Sequence, residues 1–486
     1  MVFKEDFFVF KMKGVNYMAT TNKPYSFKKV DAQALTPIQV LKNLNGRKKF
    51  LLESTFQHEQ KGKYSFLGMN PYEEIIGHDS QTTIINHQTQ SEEIKEINAL
   101  HLLQHHLPII ETDLPLPFFG GAVGYIGYDS IRQFENIGSP LPDDLDMPDI
   151  HFMIYKDVIV FDHTNNSIYL IAINVDDQPE EVLNARTEGL KEVLLVGDHP
   201  DDTDFESIQF EPETTVEGFK EKVKIAKEHI KQGDIFQVVL SQRMTAKTNG
   251  HPSFPFSFYQ KLRKANPSPY MFYIDFEDHL ILGASPESLV QTTGREIVTN
   301  PIAGTRPRGK NNVEDEALMK ELLSDEKEIA EHRMLVDLSR NDLGRVCESS
   351  SITIPTYMKV EKYQHVMHIV SEVKGKMKQN LSGIDALISC LPAGTVSGAP
   401  KIRAMQIIND LEEKKRGAYG GGIGYINFNH DLNIALTIRS LVIKNNIAHL
   451  QAGAGIVFDS VPENEYKETL NKAKSLMEVQ ELDAIN

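Results

Sequence analysis

The chain has 486 residues, 40% of them apolar and 24% charged, with a formal net charge of −17 and two cysteines. That length and balance suit about two or three domains around a sizeable core. The negative surface argues against nucleic acid and anionic membrane as partners, and the cysteine count excludes a disulfide framework and fits a reducing cytoplasm. No apolar run reaches the ~18 residues of a membrane span.

In chain order, the aromatic N-terminus is broken by Glu5, Asp6 and Lys11, so it has no signal-peptide core. Met18 offers a second start, and residues 1–24 read as an N-terminal extension. Residues 25–195 read as α+β. Aromatic and β-branched content predicts strands at 49–54, 64–68, 157–162 and 167–171, the last two joined in a hairpin by Asn165-Asn166. The glycine-rich segment 120–126 is echoed by 420–426, with five of seven residues matching (GGAVGYI and GGGIGYI), which suggests similar backbone packing in two places. Residues 196–215 are acidic and proline-containing and read as a linker. Beyond it, residues 216–229 are helical and residues 236–241 form a central strand. No regular βαβ rhythm follows, so the fold class is α+β.

Residues 324–345 form a helix capped by Ser324, with Met334, Leu335 and Leu338 as its apolar arc. Glu331 falls inside that arc and Glu328 on its margin. A carboxylate there needs either an arginine partner or a hard divalent cation. Arg306 and Arg308 lie in a rigid loop at 301–309 that suits a ligand carboxylate or is simply a charged surface loop. The small-residue loop 392–401 feeds a helix and is an anion site by geometry, although it fails the phosphate-loop pattern. Arg439, in an apolar strand at 434–442, demands an anion from the protein or from a ligand. Segment 451–456 offers exposed backbone N–H groups, and Ser460 with Glu463 makes a capping box for the last helix. That helix has a core stripe of Tyr466, Leu470, Ala473 and Met477, and Glu468 faces the other way. His365 and His368 take opposite faces of a strand. Neither cysteine sits in a glycine elbow, so a built-in glutaminase is not expected.

The motifs PIAGTRPRG, DEKEIAEH, PAGTVSGAPK, GAYGGGIGY, TIRS, QAGAGIV and ETLNKA, in this order, resemble the chorismate-utilising enzymes, most closely their anthranilate synthase component I branch, across residues 25–479. The resemblance implies two interleaved β-sheets in a sandwich with helices outside, a tryptophan-binding regulatory domain at 25–195 and a chorismate-binding catalytic domain at 216–486. It implies addition of ammonia at C2 of chorismate, loss of the C4 hydroxyl and elimination of pyruvate to give anthranilate. It assigns Glu331 and Glu468 to Mg²⁺, with Glu328 close by. It assigns Gly304, Thr305, Tyr419, Arg439, Gly453, Ala454 and Gly455 to the substrate, Tyr419 and Arg439 taking the enolpyruvyl carboxylate. Glu287 matches the acid that protonates the departing hydroxyl, His368 the residue linked to pyruvate elimination, and Thr395 belongs to the active-site loop. Leu52-Glu53-Ser54 with residues 266–271 resembles a feedback site, in which Ser54, Pro269, Tyr270 and Met271 bind tryptophan. Ammonia then comes from a separate glutamine amidotransferase subunit. Ala303 replaces a lysine typical of aminodeoxychorismate synthases, and Gln237 replaces a water-activating lysine of isochorismate and salicylate synthases. The alternatives are aminodeoxychorismate synthase component I and a non-catalytic tryptophan-binding regulator of the same fold.

Overall fold

The computed structural model describes residues 22–32, 35–54, 56–57, 60–194, 207–363 and 366–480. Most of the expected N-terminal extension, His365, and residues 196–206 of the expected linker lie outside them. The described remainder of that linker is bonded to the body: Ile208 exchanges backbone hydrogen bonds with the Gln480 side chain, and the Glu213 N–H donates to the Arg243 carbonyl.

The two glycine-rich echoes are neighbours. Strands Gly121–Ile126 and Gly422–Asn427 pair antiparallel, with Gly124 opposite Gly424. A Cβ on Gly124 would stand 1.9 Å from the His151 carbonyl oxygen, and one on Gly424 2.1 Å from that of Asn433. Only glycine allows the strands on both sides to close to hydrogen-bonding distance.

This pair sits inside one of two twelve-stranded sheets. On one side it continues through Ile150–Tyr155, Glu73–His78, Gln81–Asn86 and Ser91–Lys95. On the other it continues through Leu432–Leu436, Ser288–Thr293, Glu296–Thr299, Val366–Lys376 and Ile302–Pro307. The second sheet is joined in the same way. Phe50–Glu53, from the N-terminal part, pairs with Tyr270–Asp275, and the sheet runs on through His279–Ser285, Ser440–Lys444, Ile447–Ile456 and Gln237–Lys247. Both sheets are therefore built from both ends of the chain, as the expected interleaved sandwich requires. The predicted strand at 64–68 is Tyr64–Gly68, and the predicted hairpin is Asp157–Asp162 with Ser167–Ile173, turning at Asn166 with φ +48°.

Period-two alternation shows where the core lies. Phe50, Leu52, Phe272, Ile274, Ile281 and Val442 enter the layer between the sheets, while Leu51, Met271, Tyr273, Leu282 and Leu441 enter a second layer under the outer helices. Helices Pro37–Asn43 and Phe254–Ala265 contribute to that second layer. Burial on both faces is why these strands read as continuous apolar runs. Among the described residues no helix is long and apolar enough to cross a membrane.

Four local expectations change. Helix Glu326–Val346 is capped by Asp325, whose carboxylate accepts the Lys327 and Glu328 N–H groups, while Ser324 ends the preceding helix Asn312–Ser324. No capping box opens Pro462–Met477: Ser460 Oγ instead accepts the Val457 N–H, and Pro462 starts the helix with its preset φ. The expected strand at 434–442 is two strands in different sheets, with Thr437–Arg439 crossing between them. Strand Gln237–Lys247 lies next to a sheet edge rather than at the centre. Among the described residues it meets only two-residue strands on its outer side, and helices pack over it.

Gly124→Ala is expected to lower stability by about 2–3 kcal/mol, because the methyl meets backbone that cannot yield. Gly189→Ala, in helix Glu180–Leu194 with open space around it, should be neutral or stabilising by about 0.5–1 kcal/mol. Urea melts of both variants check the pair.

Candidate active site

Where the chain crosses from one sheet to the other, Arg439 adopts φ +49°, and its carbonyl accepts the Ala284 N–H at 3.0 Å. The crossing is fastened to the glycine turn before the central strand. The Gly420 N–H donates to the Thr437 carbonyl and the Thr437 N–H to that of Gly421, which brings Tyr419 alongside. Among the described residues the Arg439 guanidinium has no hydrogen-bond or ion-pair partner. Burial lowers its proton affinity and the charge of Glu287 opposes that shift. A cation left so among protein atoms is costly unless a ligand anion completes it.

Glu287 follows strand His279–Ser285 and is buried. Its Oε1 accepts the Thr395 hydroxyl at 3.0 Å. Burial pushes its carboxyl up to about 8, against the weaker opposing effects of Thr395, Arg439 and Lys472. It is thus an acid that keeps its proton at neutral pH.

His368, on Val366–Lys376, lies opposite Thr305 of the neighbouring strand. Its Nδ1 is 3.1 Å from the Gly304 carbonyl oxygen and 3.1 Å from Thr305 Oγ1. A carbonyl only accepts, so Nδ1 carries the hydrogen and Nε2 keeps its lone pair. Burial pushes this imidazole down to about 4, leaving it a neutral base.

Gly453 and Gly455 share one face of Ile447–Ile456, while the Ala454 methyl turns into the core between the sheets. A Cβ at Gly453 would stand 2.8 Å from the Tyr419 hydroxyl, and one at Gly455 2.6 Å from Gln237 Nε2. Two acidic helices flank this bare strand, each with the pattern Glu-x-x-Glu: Glu328 and Glu331 on one, Glu465 and Glu468 on Pro462–Met477. Among the described residues Glu331 has no ion-pair partner; its Oε1 accepts the Gln237 amide at 3.1 Å. Glu328 is raised by burial and then by the Glu331 charge, and Glu465 by burial and, among its neighbours, by Glu468. Crowded carboxylate oxygens of this kind suit a hard cation, although among the described residues no group of three or more His, Cys, Asp or Glu already stands in a metal-holding arrangement.

The two arginines of 301–309 are not free for a ligand. Arg306 pairs with Glu321, Asp325 and Glu328, and Arg308 with Asp315, in a segment that is mostly strand. From the loop 392–401 the contact to the site is Thr395, and Lys401 is held by both oxygens of Asp342 at 2.8 Å.

A second constellation lies elsewhere, in the second sheet. Met271 stands opposite Glu53, next to Ser54, and Pro269 and Tyr270 lead into the same strand. Among the described residues the buried Ser54 hydroxyl has no hydrogen-bond partner, while Glu53 is held by Tyr259 and by both sides of the Arg263 fork.

Two residues of the site were missed from sequence. Lys472 pairs with Glu468 at 2.8 Å and donates to the Gly453 carbonyl at 2.9 Å. Glu465 is buried one turn before Glu468. The i, i+4 Glu–Lys spacing and the repeated Glu-x-x-Glu were the available signals.

Residues 47–478 match the family of chorismate binding enzymes. The chain is 44% identical over 458 residues to anthranilate synthase component 1 of Lactococcus lactis subsp. lactis, covering 93% of this chain and 99% of that one. It is 41% identical over 443 residues to aminodeoxychorismate synthase component 1 of Bacillus subtilis, covering 89% and 91%. Among solved structures it is similar to anthranilate synthase component I from Streptococcus pneumoniae, with a TM-score of 0.80 at 40% identity over 93% of this chain and 99% of that one. The isochorismate synthase MenF of Escherichia coli shares the fold at 18% identity, with a TM-score of 0.70 over 94% and 95%.

The raised Glu287 carboxyl has a consequence for stability. From about pH 4.5 to about pH 8 the folded chain holds a proton that the unfolded chain has lost, so this residue lowers stability progressively across that window and no further above it. Glu287→Gln mimics the protonated acid. Its melting temperature is expected to gain on the wild type as pH rises through that window and to level off above it; a gap independent of pH in thermal melts would refute this.

Proposed function

The chain belongs to the family of chorismate binding enzymes, and from that premise we propose that it is the ammonia-using component of an anthranilate synthase. The observation that carries this reading is the unpartnered Arg439 beside a Glu287 that stays protonated to about pH 8. Chorismate is a dicarboxylate whose C4 hydroxyl leaves only with a proton, so it needs both a buried cation and a neutral acid. Arg439 and Tyr419 take the enolpyruvyl carboxylate, and the bare Gly453–Gly455 backbone lets the ring approach. As ammonia bonds to C2 and the C4–O bond breaks, Glu287 gives its proton to the departing oxygen, releasing water, and the new amine loses one proton. When the enolpyruvyl group leaves as pyruvate, the neutral His368 accepts the C2 proton at Nε2. Glu331 and Glu468, with Glu328 and Glu465 beside them, would hold Mg²⁺, which when bound supplies the counter-charge for the ring carboxylate. Glu331, which among the described residues has no ion-pair partner and is held only by the Gln237 amide, and the carboxylates of Glu328 and Glu465 near it support that assignment.

Gln237 favours ammonia over water as nucleophile, because an amide is no base, and Ala303 offers no covalent lysine. The relative named aminodeoxychorismate synthase keeps that product as the rival, and product analysis separates the two. The absence of a glutaminase elbow supports a separate glutamine amidotransferase subunit as the ammonia source, in the cytoplasm. The unpartnered Ser54 hydroxyl supports a tryptophan site with Pro269, Tyr270 and Met271. Tyr270 stands opposite Ser285, two residues before Glu287, so a ligand that moves this strand bears on the acid. The intact acid, base and cation argue against a non-catalytic regulator.

The deciding assay gives the purified chain chorismate, Mg²⁺ and ammonium. Anthranilate, identified by fluorescence and mass, is expected; a 4-amino product or unconsumed chorismate overturns the reading. Glutamine alone should give no turnover. Glu331→Gln should lower apparent Mg²⁺ affinity more than about tenfold, read from the Mg²⁺ dependence of turnover. Ser54→Ala should raise the tryptophan concentration for half-inhibition by about tenfold, the cost of one lost buried hydrogen bond.

A further inference from the structure

Glu287, whose charge is felt by Arg439, also borders a cavity that Arg439 does not line. This small cavity has about 30 Å³ open to a water-sized sphere and is walled by Ser288, Thr299, Leu338, Ser339, Asp342 and Thr395, among others. None of Arg439, Tyr419, His368 or Gly453 lines it. At ~10–15 Å³ per water it holds roughly two. Two residues of its wall, Ser288 and Thr299, carry buried hydroxyls that have no partner among the described residues. Buried hydroxyls are nearly always hydrogen-bonded, so waters in this space are their natural partners. Asn300 and Ser339, also in the wall, are only half-buried, so the cavity reaches towards solvent. Its floor is the helix that carries Glu328 and Glu331 one or two turns earlier.

The proposed reaction makes Glu287 give up one proton per turnover, and the acid must be recharged before the next. Substrate bound at Arg439 as proposed above would stand between it and solvent on that side. We propose that this cavity is a water-filled proton conduit that reprotonates Glu287 from bulk solvent, with Ser288 and Thr299 as positioning residues for its waters; this rests on the function proposed above. The Glu287 carboxylate takes a proton from the adjacent water, which is restored by the second water and that by solvent. The proton shed by the new amine balances the one consumed, so the cycle is neutral overall. No bond to carbon is made or broken in the conduit.

The test is steady-state kinetics with chorismate, Mg²⁺ and ammonium in H₂O and D₂O. The variants are Ser288→Ala with Thr299→Val, which removes the hydroxyls, and Leu338→Phe, which fills the space. Both should lower kcat by about tenfold, less than loss of the acid itself. KM for chorismate should stay within about twofold, and the solvent isotope effect on kcat should increase. Unchanged kcat, or a lower kcat with an unchanged isotope effect, overturns the conduit. A wild-type chain that leaves chorismate unconsumed overturns the parent reading and the conduit with it, whereas a normal wild type with unimpaired variants overturns the conduit alone. If the variants do not fold, a high-resolution crystal structure of the wild type decides: two ordered waters bonded to Ser288 and Thr299 are expected, and a dry cavity refutes the proposal.

Discussion

Everything in this molecule depends on two bare strands lying side by side. Gly124 faces Gly424 in a ladder with no room for a Cβ on either residue. That contact joins chain segments 300 residues apart into one sheet, and the pairing of Phe50–Glu53 with Tyr270–Asp275 does the same for the other. Once both sheets are closed across the chain, the positions of the crossovers follow. The turn 417–421 and the crossing 437–439 are bonded to each other at the end of the central strands, which sets Tyr419 near Arg439.

The second theme is charge. A chain of net charge −17 must hold a doubly negative ring. Most of its arginines are occupied by the protein's own carboxylates or carbonyls. Arg306, Arg308 and Arg416 are tied to carboxylates of the protein itself. Arg439 is left without such a partner, and Glu287 beside it is neutral at physiological pH because burial outweighs the pull of its neighbours. The same low dielectric makes an unpaired guanidinium hungry for an anion and makes a carboxylic acid hold its proton. The glutamates of two helices face the reverse problem, an excess of negative charge, an arrangement that suits a hard cation.

The proposed tryptophan site fits the same frame. Ser54 and Met271 lie where the N-terminal strand meets the strand that pairs with the one leading to Glu287. An effector held there touches the seam between the two halves of the chain rather than the chamber.

Local pattern carried the sequence reading a long way. The strand Tyr64–Gly68, the hairpin around Asn166 and the motif order across the chain were legible because period, turn chemistry and spacing are local quantities. Even the glycine echo was visible, as a hint of shared packing. What sequence could not supply was pairing between distant segments. Arg439 reads as a strand residue because its neighbours are apolar, yet it sits where one sheet passes to the other. Ser460 and Glu463 have the spacing of a capping box, yet Ser460 serves the preceding turn. Arg306 and Arg308 could serve a ligand or a surface loop until Asp325 and Asp315, 19 and 7 residues further along the chain, close on them. Lys472 and Glu465 look like surface helix residues until the bare strand at Gly453 comes beside them. The sequence by itself determined the elements, the family of motifs and the chemical types available. Which cation stays unpaired, which acid stays protonated and which cavity stays wet were decided only by tertiary contacts, because burial and electrostatic neighbourhood depend on residues that adjoin in space and not along the chain.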